Sequence, residues 1–145
     1  MTMGSPELKI LISGKTGQVA MELQKRLADM GELVVLGRDE LDLSQPEQIR
    51  AQVRAHAPDL IINAAAYTAV DAAETAEGRV GCWAANVTGV AGLARFAAAH
   101  RITLVHVSSD YVFDGSKDGA YLENDAIAPL GVYGQSKAAG DAIAS

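Results

Sequence analysis

A chain of 145 residues has the length of one domain, not two. It is 49% hydrophobic and 21% charged, a balance that excludes a disordered chain. With 12 Lys+Arg against 18 Asp+Glu the net charge is −6, which argues against nucleic acid as a partner, because phosphate backbones select basic faces. A local basic pocket for one small phosphate ligand remains compatible with that charge.

The elements alternate in type along the chain. Leu8 to Ser13 (LKILIS) is an apolar run ending at Gly14 and predicts a buried strand. Val19, Leu23, Leu27 and Met30 recur at helical spacing, which predicts a helix from Gln18 to Met30 with Gly31 as its stop. Leu33 to Leu36 (LVVL) predicts a second strand. Ser44-Gln45-Pro46-Glu47 has the form of a capping box with an early proline, opening a helix from Pro46 to His56. Asp59 to Asn63 (DLIIN) predicts a third strand, Val80 to His100 one long alanine-rich helix, and Ile102 to Val107 (ITLVHV) a fourth strand. After a loop, Val132 to Ser145 predicts a last helix. Strands without polar alternation, separated by helices, imply a parallel sheet covered on both faces. The expected fold class is therefore α/β, a Rossmann-type doubly wound sheet of about four strands in the order 3-2-1-4.

Four constellations carry chemistry. Gly14-Lys15-Thr16-Gly17-Gln18-Val19-Ala20 lies where the first strand turns into the first helix. A dinucleotide pyrophosphate there needs backbone without a Cβ and the free N–H groups of a helix start. The spacing is G-x-x-G-x-x-A, not the G-x-G-x-x-G of the dehydrogenase fingerprint, and the strand–turn–helix context is what gives it weight. Gly37-Arg38-Asp39 ends the second strand, where an adenosine ribose lies in such folds. An acid there accepts from a 2′-hydroxyl and an arginine pairs with a 2′-phosphate; both are present, with a lean to NADP through Arg38. Asp42 and Leu43 stand where they would flank the adenine. Asn63-Ala64-Ala65-Ala66 places small residues after the third strand, leaving room for a cofactor or simply for helix packing.

The fourth constellation is Ser108-Ser109-Asp110-Tyr111 after the fourth strand, together with Tyr133-Gly134-Gln135-Ser136-Lys137 at the last helix. Tyr133 and Lys137, four apart, share a helix face. An ammonium beside a phenol favours the phenolate and makes tyrosine a usable acid or base. Ser109, at a strand end, is suited to hydrogen-bond the same substrate carbonyl.

These residues resemble the extended short-chain dehydrogenase/reductase superfamily, and within it the dTDP-4-dehydrorhamnose reductase family. The matching stretches are Gly14–Val19 (GKTGQV), Asn63–Glu74 (NAAAYTAVDAAE), Ser108–Gly115 (SSDYVFDG) and Pro129–Gly140 (PLGVYGQSKAAG). The resemblance implies reduction of the 4-keto group of dTDP-4-dehydro-6-deoxy-L-mannose by NADPH or NADH. Ser109, Tyr133 and Lys137 then stand at the catalytic positions, with Tyr133 donating the proton and Lys137 holding the nicotinamide ribose. Gly14, Thr16, Gly17, Gln18, Val19, Arg38, Asp42, Leu43, Ala64, Ala65, Tyr67 and Asn86 fall at cofactor positions, Asn86 matching the family's structural asparagine. Thr68, Val70, Asp110 and Tyr111 fall near the sugar. Two local departures are Gly131 where the family carries asparagine and Ala20 where it carries a third glycine.

Family members run well past 145 residues, into further strands and a substrate lobe. The expectation is thus a single truncated cofactor-binding domain over residues 1–145, without the C-terminal lobe, inactive on its own and with a homodimer open for the full-length protein. Another nucleotide-sugar reductase or epimerase, or a non-catalytic regulatory subunit, stays open as an alternative.

The other features read as structural. Cys82 is the lone cysteine, so no intrachain disulfide or Cys-rich metal site is expected, and no metal site has ligand spacing. No run reaches the roughly 18 apolar residues of a membrane span. The first seven residues lack a positive region ahead of an apolar one, so neither signal peptide nor membrane contact is expected and the expected location is cytoplasmic. His56 and His100 sit at helix ends, His106 reads as packed, and Asp71, Glu74 and Glu77 as an acidic helix start without a binding role.

Overall fold

The computed structural model describes residues 7–145; residues 1–6, on which most of the signal-peptide reading rests, lie outside the described residues. Four parallel strands form one sheet: β1 (Leu8–Ser13), β2 (Gly31–Leu36), β3 (Leu60–Asn63) and β4 (Thr103–His106). Five helices accompany them: α1 (Gln18–Arg26), α2 (Pro46–His56), α3 (Ala76–Trp83), α4 (Val90–Ala99) and α5 (Val132–Ala144). The doubly wound parallel architecture is the expected one.

The strand order is β2-β1-β3-β4, not 3-2-1-4. β3 pairs with β1, Ile10 opposite Leu60 through Ser13 opposite Asn63, instead of adding outside β2. The reason is burial. Ile61 and Ile62 need cover on both faces and a neighbour on each side, whereas β2 tolerates an edge position with Glu32 in solvent. β4 bonds to β3, and its alternation of exposed Thr103 and Val105 with half-buried Leu104 and His106 is that of a partly covered strand.

Two cores flank the sheet. On one face Leu11, Ile61 and Leu36 meet Ile49 and Val53 of α2 and Leu93 of α4. On the other Ile10, Ile12 and Ile62 meet Ala20, Leu23 and Leu27 around α1. Successive residues of β1 thus feed opposite cores, as a period of two requires. The fully buried Ala20 shows why the third small position is needed: the helix lies close against the strands there. A third cluster joins Ala73, Cys82, Val132 and Tyr133, seating α5 on α3.

Several boundaries move for local reasons. α1 ends at Arg26, with Leu27 as its cap, and does not continue to Met30, which is exposed and contributes nothing to the core. Gly31 is no helix stop but the first residue of β2; a Cβ there would lie 1.9 Å from the Leu8 carbonyl oxygen. The capping box does not form. The Ser44 hydroxyl bonds the Asp42 carboxylate instead, and Gln45 occupies the cap position without a side-chain bond. The long helix begins earlier, at Ala76, where the Thr75 hydroxyl accepts from the Gly78 amide. It is also interrupted: Ala84–Gly89 form a π-helical turn between α3 and α4. Such turns widen the helix by one residue and re-aim its side chains.

Gly89 closes that turn with its Cβ position 2.4 Å from the Leu43 carbonyl oxygen, so helix and loop touch backbone to backbone. Gly92, one turn on, has only the Ile49 Cδ1 at 3.4 Å. Gly89→Ala should therefore lower unfolding stability by about 2–4 kcal/mol. Gly92→Ala should be neutral or stabilising by up to about 1 kcal/mol through helix propensity. Urea denaturation of the two variants beside the parent checks the contrast, and equal costs would contradict it.

Candidate active site

The carboxyl ends of β1, β2 and β3 open into a cleft of about 390 Å³, lined by Gly14, Thr16, Gly17, Arg38, Asp42, Leu43, Ala64, Ala65, Tyr67 and Thr68 among others. Its floor is backbone. Gly14 adopts φ +85°, and a Cβ on it would stand 2.9 Å from the Ala64 carbonyl carbon and oxygen and the Ala65 amide nitrogen. The Gly14 and Lys15 amides both donate to the Leu36 carbonyl, which pins the turn to β2. Gly17 is the N-cap of α1 and offers no side-chain bond, and no acidic residue occupies the first turn. The leading amides of α1 are left free for an anion, with the helix dipole behind them. A pyrophosphate fits this cradle: no Cβ stands between it and the turn at Gly14 and Gly17, and the Gln18, Val19 and Ala20 amides at the start of α1 have no acceptor among the described residues.

Arg38 stands at the mouth, its side chain 88% exposed and its Nε 3.5 Å from an Asp42 oxygen. Asp42 is held in turn. The Ser44 hydroxyl, the Ser44 amide and Arg38 keep its carboxyl below the usual value against a burial penalty. A carboxylate so occupied steadies Arg38 and leaves the guanidinium free to reach outward. Gln18 and Val19 do not line the cleft; they border a separate hollow along α1 with Glu22, Leu23 and Arg26. Asn86 does not line it either. It is fully buried in the π-helical turn, where its Oδ1 accepts from the Tyr67 amide at 2.8 Å and its Nδ2 donates to the Tyr67 carbonyl at 3.0 Å. Asn86 therefore shapes the cleft wall through Tyr67, and its Nδ2 also reaches the Ser136 hydroxyl of α5 at 3.0 Å.

The second half of the site is built on α5. Tyr133 and Lys137 are both buried, and the Tyr133 ring meets Tyr111 edge-on at 5.2 Å between centroids. Lys137 Nζ donates to the Val107 carbonyl at 2.7 Å, fixing the helix to the end of β4. Burial lowers the Lys137 pKa, opposed first by the charge of Asp141. Ser109 caps the single turn Asp110–Val112: its hydroxyl accepts from the Tyr111 amide and faces the Asp110 carboxylate. Val70 packs against the cluster that holds Tyr133, and Thr68 lines the cleft. The structure thus brings Tyr111 onto Tyr133, with Lys137 one turn further along α5 and held to Val107, beside a separate cleft at the ends of β1, β2 and β3; among the described residues no contact ties the Ser109 side chain to Tyr133 or Lys137.

Sequence reading missed several supporting residues. Glu74, expected only as part of an acidic helix start, accepts from the Val132 amide at 2.8 Å at the start of α5. Ser13 donates to Asn63 at 2.6 Å, and Asn63 Nδ2 lies 3.1 Å from His106 Nδ1. Asp141 faces His106 and takes a short hydrogen bond from the Ser108 hydroxyl. Only the i, i+4, i+8 spacing of Tyr133, Lys137 and Asp141 was available as a signal for any of these. Among the described residues no acid–His–Cys group could hold a metal, and no helix is long and apolar enough to cross a membrane.

The fold is a Rossmann-type doubly wound parallel sheet with a cleft at the carboxyl ends of its strands. The chain belongs to the RmlD substrate binding domain family, whose model matches residues 8–144. It is 46% identical over 136 residues to the dTDP-4-dehydrorhamnose reductase of Burkholderia thailandensis, an alignment covering 92% of this chain and 44% of the relative. The crystal structure of a dTDP-4-dehydrorhamnose reductase from Clostridium acetobutylicum superposes with TM-score 0.88 at 33% identity, over 94% of this chain and 49% of that one. That of the Bacillus anthracis enzyme in complex with NADP does so with TM-score 0.88 at 32% identity, over 95% and 49%. The chain spans about half the length of the relatives it matches.

His106 is predicted to make folding sensitive to mild acid. Burial, then the Lys137 charge, lower its pKa from 6.5, with Asp141 opposing, so the folded state holds it neutral. The unfolded chain binds that proton near its ordinary pKa. Stability is therefore full above about pH 6.5 and falls as pH drops toward the folded value, by at most about 1.4 kcal/mol per pH unit for one proton. Denaturation at pH 7.5 and 5.5 should show this loss in the parent and a smaller one in His106→Asn; equal losses would refute it.

Proposed function

We propose that this chain forms the cofactor-binding half of an NADPH-dependent reductase acting on the 4-keto group of dTDP-4-dehydro-6-deoxy-L-mannose, giving dTDP-L-rhamnose. The observation that carries this reading is the pairing of a Cβ-free, amide-lined turn at Gly14–Gly17 with Tyr133 and Lys137 on one face of α5. The NADP complex of the Bacillus anthracis relative supports the cofactor, and the names of the relatives support the sugar.

Residues divide the work by position. Gly14, Thr16, Gly17 and the leading amides of α1 hold the pyrophosphate, with Gln18 and Val19 supplying backbone. Arg38 reaches the 2′-phosphate, while Asp42 and Leu43 border the adenine side. Ala64, Ala65 and Tyr67 give a wall without bulk, which Asn86 holds in place. The bound dinucleotide supplies the hydride that reaches the sugar C4. Tyr133 gives its phenolic proton to the carbonyl oxygen, so the ketone becomes an alcohol with the charge balanced. Ser109 donates to the same oxygen. Lys137, positive and buried, favours the phenolate left on Tyr133 and orients the nicotinamide ribose. Thr68, Val70, Asp110 and Tyr111 border the sugar.

The Arg38 contact is charge-assisted and typically worth about 1.5–3 kcal/mol. Arg38→Ala should weaken NADPH binding roughly ten- to a hundredfold and leave NADH nearly unchanged, as read by calorimetric titration; an unchanged NADPH/NADH ratio would overturn the assignment. In a full-length reductase carrying this half, Tyr133→Phe should retain NADPH binding and lose on the order of 10² or more in NADPH oxidation with dTDP-4-dehydro-6-deoxy-L-mannose. Undiminished turnover in that variant would remove Tyr133 from the reaction.

A further inference from the structure

Behind the Tyr133–Lys137 face lies a polar chain, buried from Ser13 to His106 and reaching the surface at Ser108, that the proposed reaction does not use. It starts at the cleft, where the Ala65 amide donates to Ser13 Oγ at 3.3 Å. Ser13 Oγ, accepting there, gives its own hydrogen to Asn63 Oδ1 at 2.6 Å. That orients the Asn63 amide, so Nδ2 points at His106 Nδ1, 3.1 Å away, and Nδ1 is the acceptor. A neutral His106 must then carry its proton on Nε2. This nitrogen stands 3.4 Å from Asp141 Oδ1, and both atoms are buried with no other polar partner among the described residues. The remaining Asp141 oxygen accepts from Ser108 Oγ.

Asp141 lies one helical turn beyond Lys137 on the same face of α5. Lys137 is 2% exposed, and its one hydrogen bond among the described residues goes to a neutral carbonyl, that of Val107. A buried ammonium without an opposite charge releases its proton. The groups around it are Tyr133 and Asp141 on α5, His106 and Ser108 at the end of β4, and Cys82 on α3. His106 is neutral and, when protonated, repels the ammonium. Asp141 is the carboxylate of the set; its oxygens face His106 and Ser108 and make no contact pair with Nζ, so its charge acts on Lys137 across one turn of α5.

We propose that Asp141 is the counterion of Lys137, a positioning residue aimed by His106 and Ser108 that keeps the buried ammonium charged. This rests on the reading of Lys137 as part of the reductase site. The relay links its two halves: Ala65 borders the cofactor cleft at one end, and Asp141 governs the charge beside Tyr133 at the other.

The test follows the Lys137 13Cε resonance of the chain through a pH titration, in the parent and in Asp141→Asn. The substitution keeps the shape and the Ser108 bond and removes the charge. The Lys137 midpoint should fall by about one pH unit, the low end of the effect of an opposite charge within roughly 4–6 Å. A midpoint that stays within a few tenths of a unit would overturn the proposal. Should Asp141→Asn fail to fold, the parent suffices. The Asp141 13Cγ shift must then show an inflection at the Lys137 midpoint, and its absence would equally refute the pairing. Neither readout needs cofactor or sugar. Loss of reductase turnover with an intact Lys137–Asp141 coupling would therefore count against the functional reading alone. With both correct, the alkaline limb of the kcat profile moves down with the Lys137 midpoint in Asp141→Asn.

Discussion

The bond between Ser13 and Asn63 is the contact on which the site depends. It joins the carboxyl ends of the two central strands in a dry interior, where a missing partner would cost about 1–3 kcal/mol. It requires β3 to lie beside β1, which places Ala64 and Ala65 against the Gly14 turn. It also turns Asn63 toward His106 on β4 and so toward α5. This hydroxyl–amide contact becomes possible in the strand order that burial sets, and it then holds the cleft wall and the orientation of the polar chain.

The rest of the site is a consequence of close approach. Gly14 against Ala64, Gly89 against Leu43 and Gly134 against the Tyr111 carbonyl oxygen, 2.2 Å from a Cβ position, are backbone contacts that any side chain would force apart. Such contacts keep the cleft narrow and hold the α5 face near the end of β4. The alanine-rich composition serves the same end, since alanine allows helices near the sheet with little side-chain entropy to lose. Asn86 adds rigidity where alanine cannot: it clamps the Tyr67 backbone from both sides, and the π-helical turn is what brings its amide into line. The buried polar residues of α5 are likewise tied down, Ser136 to the Tyr133 carbonyl and Lys137 to Val107.

Much of this was legible in residue order. The four strands, α2 and the start of α5 followed from runs and spacing. The glycine turn and the Tyr133–Lys137 pair followed from the chemistry those residue types permit. Ends were less legible. Met30 continues the α1 stripe, but only packing decides that it stays in solvent, and Ser44 resembles a cap until Asp42 claims its hydroxyl. Glu74 and Val132 are 58 positions apart, so no local pattern announces their bond.

The sequence by itself determined the alternation of strand and helix, the nucleotide-type turn and the residue types of the candidate catalytic face. Each depends on neighbours within a few residues, where backbone geometry and side-chain period dictate the outcome. The tertiary structure alone decided that β3 crosses back to β1, that Asn86 faces Tyr67 and not the cleft, and that His106 and Asp141 meet behind Lys137. Those outcomes depend on which buried polar groups find partners across the sheet. That condition is met only when strands and helices distant in sequence are packed together, because burial without a partner is the larger cost.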